Sequence, residues 1–99
     1  MTTKQTTKPL MDRFDFLDDA KHKVRERGEE YGSVDENFGK IAKIWSAVLG
    51  CEVTVAQVAL CMAGLKIARL TYDNGDEDGW ADLAGYAACG GEVTRPDDL

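Results

Sequence analysis

Between Val55 and Leu70 every residue is apolar or glycine except Gln57, Lys66 and Arg69. The segment opens on Thr54-Val-Ala-Gln57, a capping box in which the Thr hydroxyl and the Gln carboxamide each satisfy a free backbone N–H. It therefore reads as a helix running to about Leu70. A helix that is apolar nearly all round is buried on more than one side. The whole chain has 99 residues, too few for three other short helices to cover it completely. A subunit interface is the expected solution, and with it a homo-oligomer.

The rest of the chain follows the same helical grammar. Pro9 and Pro96 bracket 86 residues without a helix breaker of that kind. The reading is a tail at 1–10, a single helical domain at 11–92 and a second tail at 93–99, the tails being too polar to bury a core. The first helix runs from an Asp12 N-cap to Arg27, with Phe14, Leu17, Ala20 and Val24 at helical spacing and Gly28 as its stop. Ser33-Val-Asp-Glu36 is a second capping box, opening a helix over Val34–Leu49 with Phe38, Ile41, Ala42 and Trp45 on one side and Gly50 beyond its end. Tyr72-Asp-Asn-Gly75 reads as a turn. Asp76 then caps a fourth helix ending near Cys89, with Trp80, Leu83, Ala84 and Ala87 expected inward. Cys51–Val55 is the only short strand candidate, so the expected class is all-α.

Several functions drop out on composition. Uninterrupted apolar runs fall far short of the ~20 residues that span a bilayer, and the N-terminus does not read as a signal peptide. No membrane partner and a cytoplasmic setting are the resulting expectations. A formal charge of −6 without a basic stripe argues against duplex nucleic acid. Cys51, Cys61 and Cys89 form no CxxC pair and read as reduced, buried small hydrophobes. His22, the one histidine, has no ligand partner at zinc spacing. Neither a nucleophile elbow nor a Gly-rich phosphate loop occurs.

The charge is unevenly placed. Residues 1–72 hold eleven Lys and Arg against ten Asp and Glu, whereas residues 73–99 hold eight acids against Arg95. A short turn makes the last two helices an antiparallel hairpin. Measured outward from a centre between Asn74 and Gly75, Lys66 falls level with about Asp82, and Arg69 between Asp78 and Trp80. Lys66 and Arg69 interrupt the most apolar helix, where charge is costly unless paired or used. Ion pairs that set register are one reading. The others are Asp78 and Asp82 on a divalent metal, or Lys66 and Arg69 on a ligand phosphate. A second polar set, Arg25, Arg27, Tyr31 and Asn37, surrounds the start of the second helix. Helix N-termini favour anions, and an aromatic ring there can stack on a base.

Arg27 with Tyr31-Gly32, then Asn37, Ile41-Ala42, Trp45, Lys66-Ile-Ala-Arg69 and Asp82-Leu-Ala-Gly-Tyr86 resembles a group of small bacteriophage and prophage proteins of unassigned function. That group in turn resembles, distantly, the MazG-like all-α nucleoside triphosphate pyrophosphohydrolases. The resemblance implies a four-helix MazG-like bundle completed by oligomerisation, in an infected bacterial host. It also implies Mg²⁺ held by a Glu-Glu-x-x-Glu helix and a later Glu-x-x-Asp helix, with Asp82 matching the final Asp. The chain departs from this pattern: position 79 is Gly79, and Ser33 follows Glu29 and Glu30 where a third Glu is needed. Two-metal hydrolysis needs several converging carboxylates. Two functions follow. In the first, Arg25, Arg27, Lys66 and Arg69 hold the phosphates of a nucleotide, Tyr31 or Trp45 stacks on its base, and the protein sequesters a host immune signalling nucleotide without turnover. In the second, Asp78 and Asp82, with Glu29, Glu30 or Glu36, hold Mg²⁺ in an NTP pyrophosphohydrolase. A structural or interaction protein is the third reading.

Overall fold

A computed structural model describes residues 9–94, as four helices and no strand among them. These are α1 (Arg13–Tyr31), α2 (Val34–Leu49), α3 (Val55–Tyr72) and α4 (Glu77–Val93). The class is all-α as expected, and the strand candidate at 51–55 is a loop over 51–54 followed by the first residue of α3. The expected tails fall largely at 1–8 and 95–99, outside the described residues.

Three helices begin as their local sequence dictates. Glu36 N–H donates to Ser33 Oγ at 3.1 Å while Ser33 N–H donates to Glu36 Oε1 at 3.0 Å, closing the box at α2. Thr54 and Gln57 do the same at α3, and Asp12 and Asp15 at α1. The fourth expectation fails, because Asp76 makes no side-chain capping bond. The α3–α4 turn is pinned instead by Asn74 Nδ2 donating to Leu70 O at 2.7 Å and Trp80 Nε1 donating to Asn74 O at 2.8 Å.

Two helices run past glycines expected to end them. α1 continues through Gly28 to Tyr31, and α4 through Gly90 and Gly91 to Val93. A mid-helix glycine costs about 1 kcal/mol, which tertiary packing readily offsets. The chain leaves the helical path at Gly32 and Gly50, the two glycines with positive φ, at 90° and 71°.

Helix α4 lies between α1 and α3, which do not pack against each other. Its contacts fix two registers. Against α3, Gly79 faces Leu70, Asp82 faces Lys66 and Gly90 faces Ala59, an antiparallel pairing centred between Asn74 and Gly75, as the hairpin reading places it. Against α1, Lys23 meets Asp78 and Arg27 meets Tyr86, so the two run parallel. The inward face of α4 is not the expected one. Gly79, Ala81, Asp82, Gly85 and Cys89 are buried, whereas Trp80 and Ala87 are exposed. Close packing selects the small side chains: a Cβ on Gly79 would sit 3.0 Å from Leu70 Cδ2, and one on Gly85 3.3 Å from Val24 Cγ2.

The core is small: Phe38 and Ala42 of α2, Val58 and Ala59 of α3, and Cys89 of α4, with Ile41, Trp45, Met62 and Tyr86 packed around it. Phe14 and Leu17, expected inward on α1, are exposed, as are Val48 and Leu49 on α2. Cys51 and Cys61 are exposed too, so the expectation of three buried cysteines holds for Cys89 alone. On α3 only Val58, Ala59 and Leu70 are buried. This helix is also long and apolar enough to cross a membrane by length and composition, with mean hydropathy 1.2 over 18 residues, closer to that limit than the residue runs suggested. The core helix of a bundle passes the same test.

Candidate functional site

The densest polar cluster forms where α1, α3 and α4 converge on Asp82. Its side chain is 10% exposed, and three cations surround it. Lys66 Nζ lies 2.9 Å from Oδ2, Arg27 Nη2 3.5 Å from Oδ1 and Lys23 Nζ 3.6 Å from Oδ1. Lys23 also donates to Asp78 Oδ1 at 2.8 Å and lies 3.8 Å from Asp19. Burial lowers the Lys23 pKa, but the Asp78 hydrogen bond and the charges of Asp82, Asp78 and Asp19 outweigh it, so the ammonium is held above its ordinary value of 10.5.

Helical spacing builds the cluster. Lys23 and Arg27 are four apart on α1; Asp78, Asp82 and Tyr86 are spaced by four on α4. Two parallel stripes thus face each other, and Lys66 reaches the same carboxylate from α3. Arg27 is held beyond Asp82 as well. Its Nη1 donates to Tyr86 Oη at 3.2 Å, and its guanidinium carbon lies 5.6 Å from the centre of that ring.

Beside this cluster is an open cleft of about 200 Å³ between α1, the α2 N-terminus and α4. Phe38, Ala81, Tyr86 and Cys89 supply apolar walls; Lys23, Arg27, Asn37 and Asp82 supply polar ones. Phe38 and Tyr86 are tilted neighbours, 6.4 Å between ring centres. Asn37 is half-buried, and its carboxamide makes no hydrogen bond among the described residues. Burial pushes the Cys89 thiol above its ordinary pKa of 9.0, with Glu92 adding to the effect.

Of the residues singled out in the sequence, Arg27, Asn37 and Asp82 line this cleft, and Lys66 backs it through Asp82. The other candidates lie elsewhere. Arg25 lines a groove on the outer side of the α1–α4 seam. Tyr31 is exposed at the end of α1, where Glu30, as hydrogen-bond partner and as charge, raises its phenol pKa. Trp45 packs against the core. Arg69 is exposed and makes no ion pair among the described residues, so its level on the hairpin does not bring it to Asp78. Lys23, Phe38 and Tyr86 are site residues that sequence reasoning passed over; Lys23 precedes Arg27 by one helical turn, which was a usable signal.

Asp78 and Asp82 meet through a cation already in place, Lys23. No group of three or more His, Cys, Asp or Glu among the described residues is arranged to hold a metal ion. Glu36 is spent on the α2 cap, and Glu29 and Glu30 are exposed near the C-terminal end of α1. This donor set does not fit Mg²⁺, which wants carboxylates free of competing ammonium and guanidinium groups.

Comparison with known proteins adds a family but no activity. The gene 55 proteins of mycobacteriophages L5 and D29 are each 38% identical, over 74 and 75 residues. Those segments are 74% and 75% of this chain and 47% and 50% of the relatives, so the chain spans about half the length of the curated relatives it matches. The resemblance to small phage proteins of unassigned function is thereby met. No solved structure matches. Residues 15–94 match a family profile, and the chain belongs to the family described as a domain of unknown function, DUF6378.

Proposed function

We propose that the protein binds a phosphorylated nucleotide in the cleft between α1, α2 and α4. One observation carries this reading: Arg27 lies over the Tyr86 ring at a cleft that also presents Lys23 and the uncommitted Asn37 carboxamide. Arg27 has guanidinium N–H donors left for a phosphate, beside Lys23, whose own charge is shared with Asp78 and Asp82. The apolar wall of Phe38 and Tyr86 suits a base, whose edge Asn37 can read with one donor and one acceptor.

Sequestration is favoured over turnover, because the carboxylates that a pyrophosphohydrolase would give to metal are neutralised by lysine and arginine. The phage relatives support a role inside an infected bacterium; holding down a host signalling nucleotide in its cytoplasm is the role proposed for the cleft. For the fold we propose a MazG-like bundle closed by a second copy; the bare outer side of α3 supports that closure.

The test is a thermal-shift and calorimetric screen of mono-, tri- and cyclic nucleotides with and without Mg²⁺, on wild type, Arg27→Ala and Asn37→Ala. Binding that is independent of Mg²⁺ and at least tenfold weaker in both variants is expected. No binding to any nucleotide overturns the reading. Pyrophosphate release lost in Asp82→Ala would replace it with the enzyme.

A further inference from the structure

We infer that the outer face of α3 is a self-docking surface, on which α3 of a second copy packs about a two-fold axis near Gly64. This deepens the oligomer reading above and does not depend on the nucleotide one.

At 100° per residue, Leu60, Cys61, Gly64, Leu65, Ala68 and Tyr72 share about 140° of the helix circumference. All six are exposed, Leu60 at 71% and Tyr72 at 95%. Lys66 lies off this arc and is turned to Asp82 on α4. Arg69 flanks the arc, about 40° beyond Leu65, so the arc itself carries no charge, whereas the chain as a whole carries −6. Self-association of an acidic protein meets least repulsion on such a surface.

Size and shape agree. Leu60, Leu65, Tyr72 and, beside them, Ile67 are 71%, 46%, 95% and 51% exposed, an apolar surface of the kind that the core of a small interface buries. Gly64 sits in mid-helix with nothing within 4 Å of an added Cβ. No contact among the described residues calls for a glycine there, at a cost of about 1 kcal/mol of helix stability. A second helix crossing at Gly64 and Ala68 makes use of the space and lets the axes approach to about 8 Å. A two-fold contact also needs one patch only, since each copy presents the same face to the other.

The proposal is tested on the full chain by light scattering, comparing wild type with Ala68→Arg. Wild type is expected at twice the 10.9 kDa of one chain, or a larger multiple, and Ala68→Arg at a smaller assembly with unchanged helical circular dichroism. Oxidation of Cys51→Ser should yield a disulfide-linked pair through Cys61, Cys89 being buried. A monomeric wild type overturns the proposal together with the oligomer reading. An assembly that survives Ala68→Arg intact overturns this face alone and leaves the oligomer standing. Flotation of wild type, but not Ala68→Arg, with phosphatidylcholine vesicles would assign the face to a bilayer instead.

Discussion

Lys66 Nζ lies 2.9 Å from Asp82 Oδ2, so a charge interrupting the apolar run of α3 ends on the buried carboxylate of α4. That carboxylate also serves Arg27 and Lys23. The asymmetry orders two substitutions. Asp82→Asn leaves three cations without their shared partner and should cost about 2–3 kcal/mol, below the range for fully buried pairs because Lys23 and Arg27 are partly hydrated. Lys66→Met leaves Asp82 with two cations and replaces the aliphatic stem, so about 1 kcal/mol is expected. Urea unfolding measures both; a larger loss in Lys66→Met would contradict the shared-carboxylate picture.

Glycine-to-alanine substitutions in α4 should split by sign. At Gly91 an added Cβ meets nothing within 4 Å, and the change should stabilise by about 0.5–1 kcal/mol through helix propensity. At Gly79 the Cβ would lie 3.0 Å from the buried Leu70 side chain, and a net loss is expected. Melting temperatures moving in the same direction for both would contradict the small-residue packing of α4.

The capping box at α2 carries a pH dependence. The Ser33 backbone N–H, and then its side chain, hold the Glu36 carboxyl below its ordinary value of 4.5. A carboxyl depressed on folding adds stability above its unfolded pKa and loses it as pH falls through the folded one. The Glu36 share is therefore present at pH 6 and lost progressively below about pH 4.5. Glu36→Gln keeps an acceptor that does not titrate. Thermal melts from pH 6 to pH 3 should show wild type falling more steeply than the variant; parallel curves would remove Glu36 from the account.

Thiol labelling separates the cysteines. Cys51 is exposed in the loop before α3, whereas Cys89 is buried with its pKa raised, first by desolvation. Cys51 should react with a maleimide at pH 7.5 far faster than Cys89, which should react at the rate of local opening. Equal rates would mean that α4 does not hold Cys89 inside.

What the sequence made legible is local or one hairpin away. Ser33 with Glu36 and Thr54 with Gln57 lie within one helical turn, and each box forms as spelled. Lys66 and Asp82 are joined by a turn short enough that counting outward from its centre sets them level. Lys23 and Arg27 meet α4 across more than fifty residues, and no local pattern states that α1 lies parallel to it. The inner face of α4 escapes the sequence pattern for a different reason. Large apolar residues signal burial by area, but helices that approach closely select Gly79, Gly85 and Gly90, which carry almost no hydrophobic signal. Trp80 has the size of a core residue, yet it spans the turn with its indole N–H on Asn74 O.

Tyr86 holds Arg27 in two ways that can be separated. Its hydroxyl accepts from Nη1 at 3.2 Å, and its ring lies 5.6 Å below the guanidinium carbon. Tyr86→Phe removes the first and keeps the second, at a stability cost of about 0.5–1 kcal/mol for one partly exposed hydrogen bond. If the cleft holds a base against this ring and a phosphate on Arg27, Tyr86→Phe frees a donor and should weaken nucleotide binding less than threefold. Tyr86→Leu removes both the stacking surface and the cation–π contact, each worth about 1 kcal/mol, and should weaken binding by tenfold or more. Calorimetry with whichever nucleotide gives the largest thermal shift reads the two variants against wild type. Equal affinities for Tyr86→Leu and wild type would show that the ring serves only to position Arg27 in the fold, and would move any base away from this wall of the cleft.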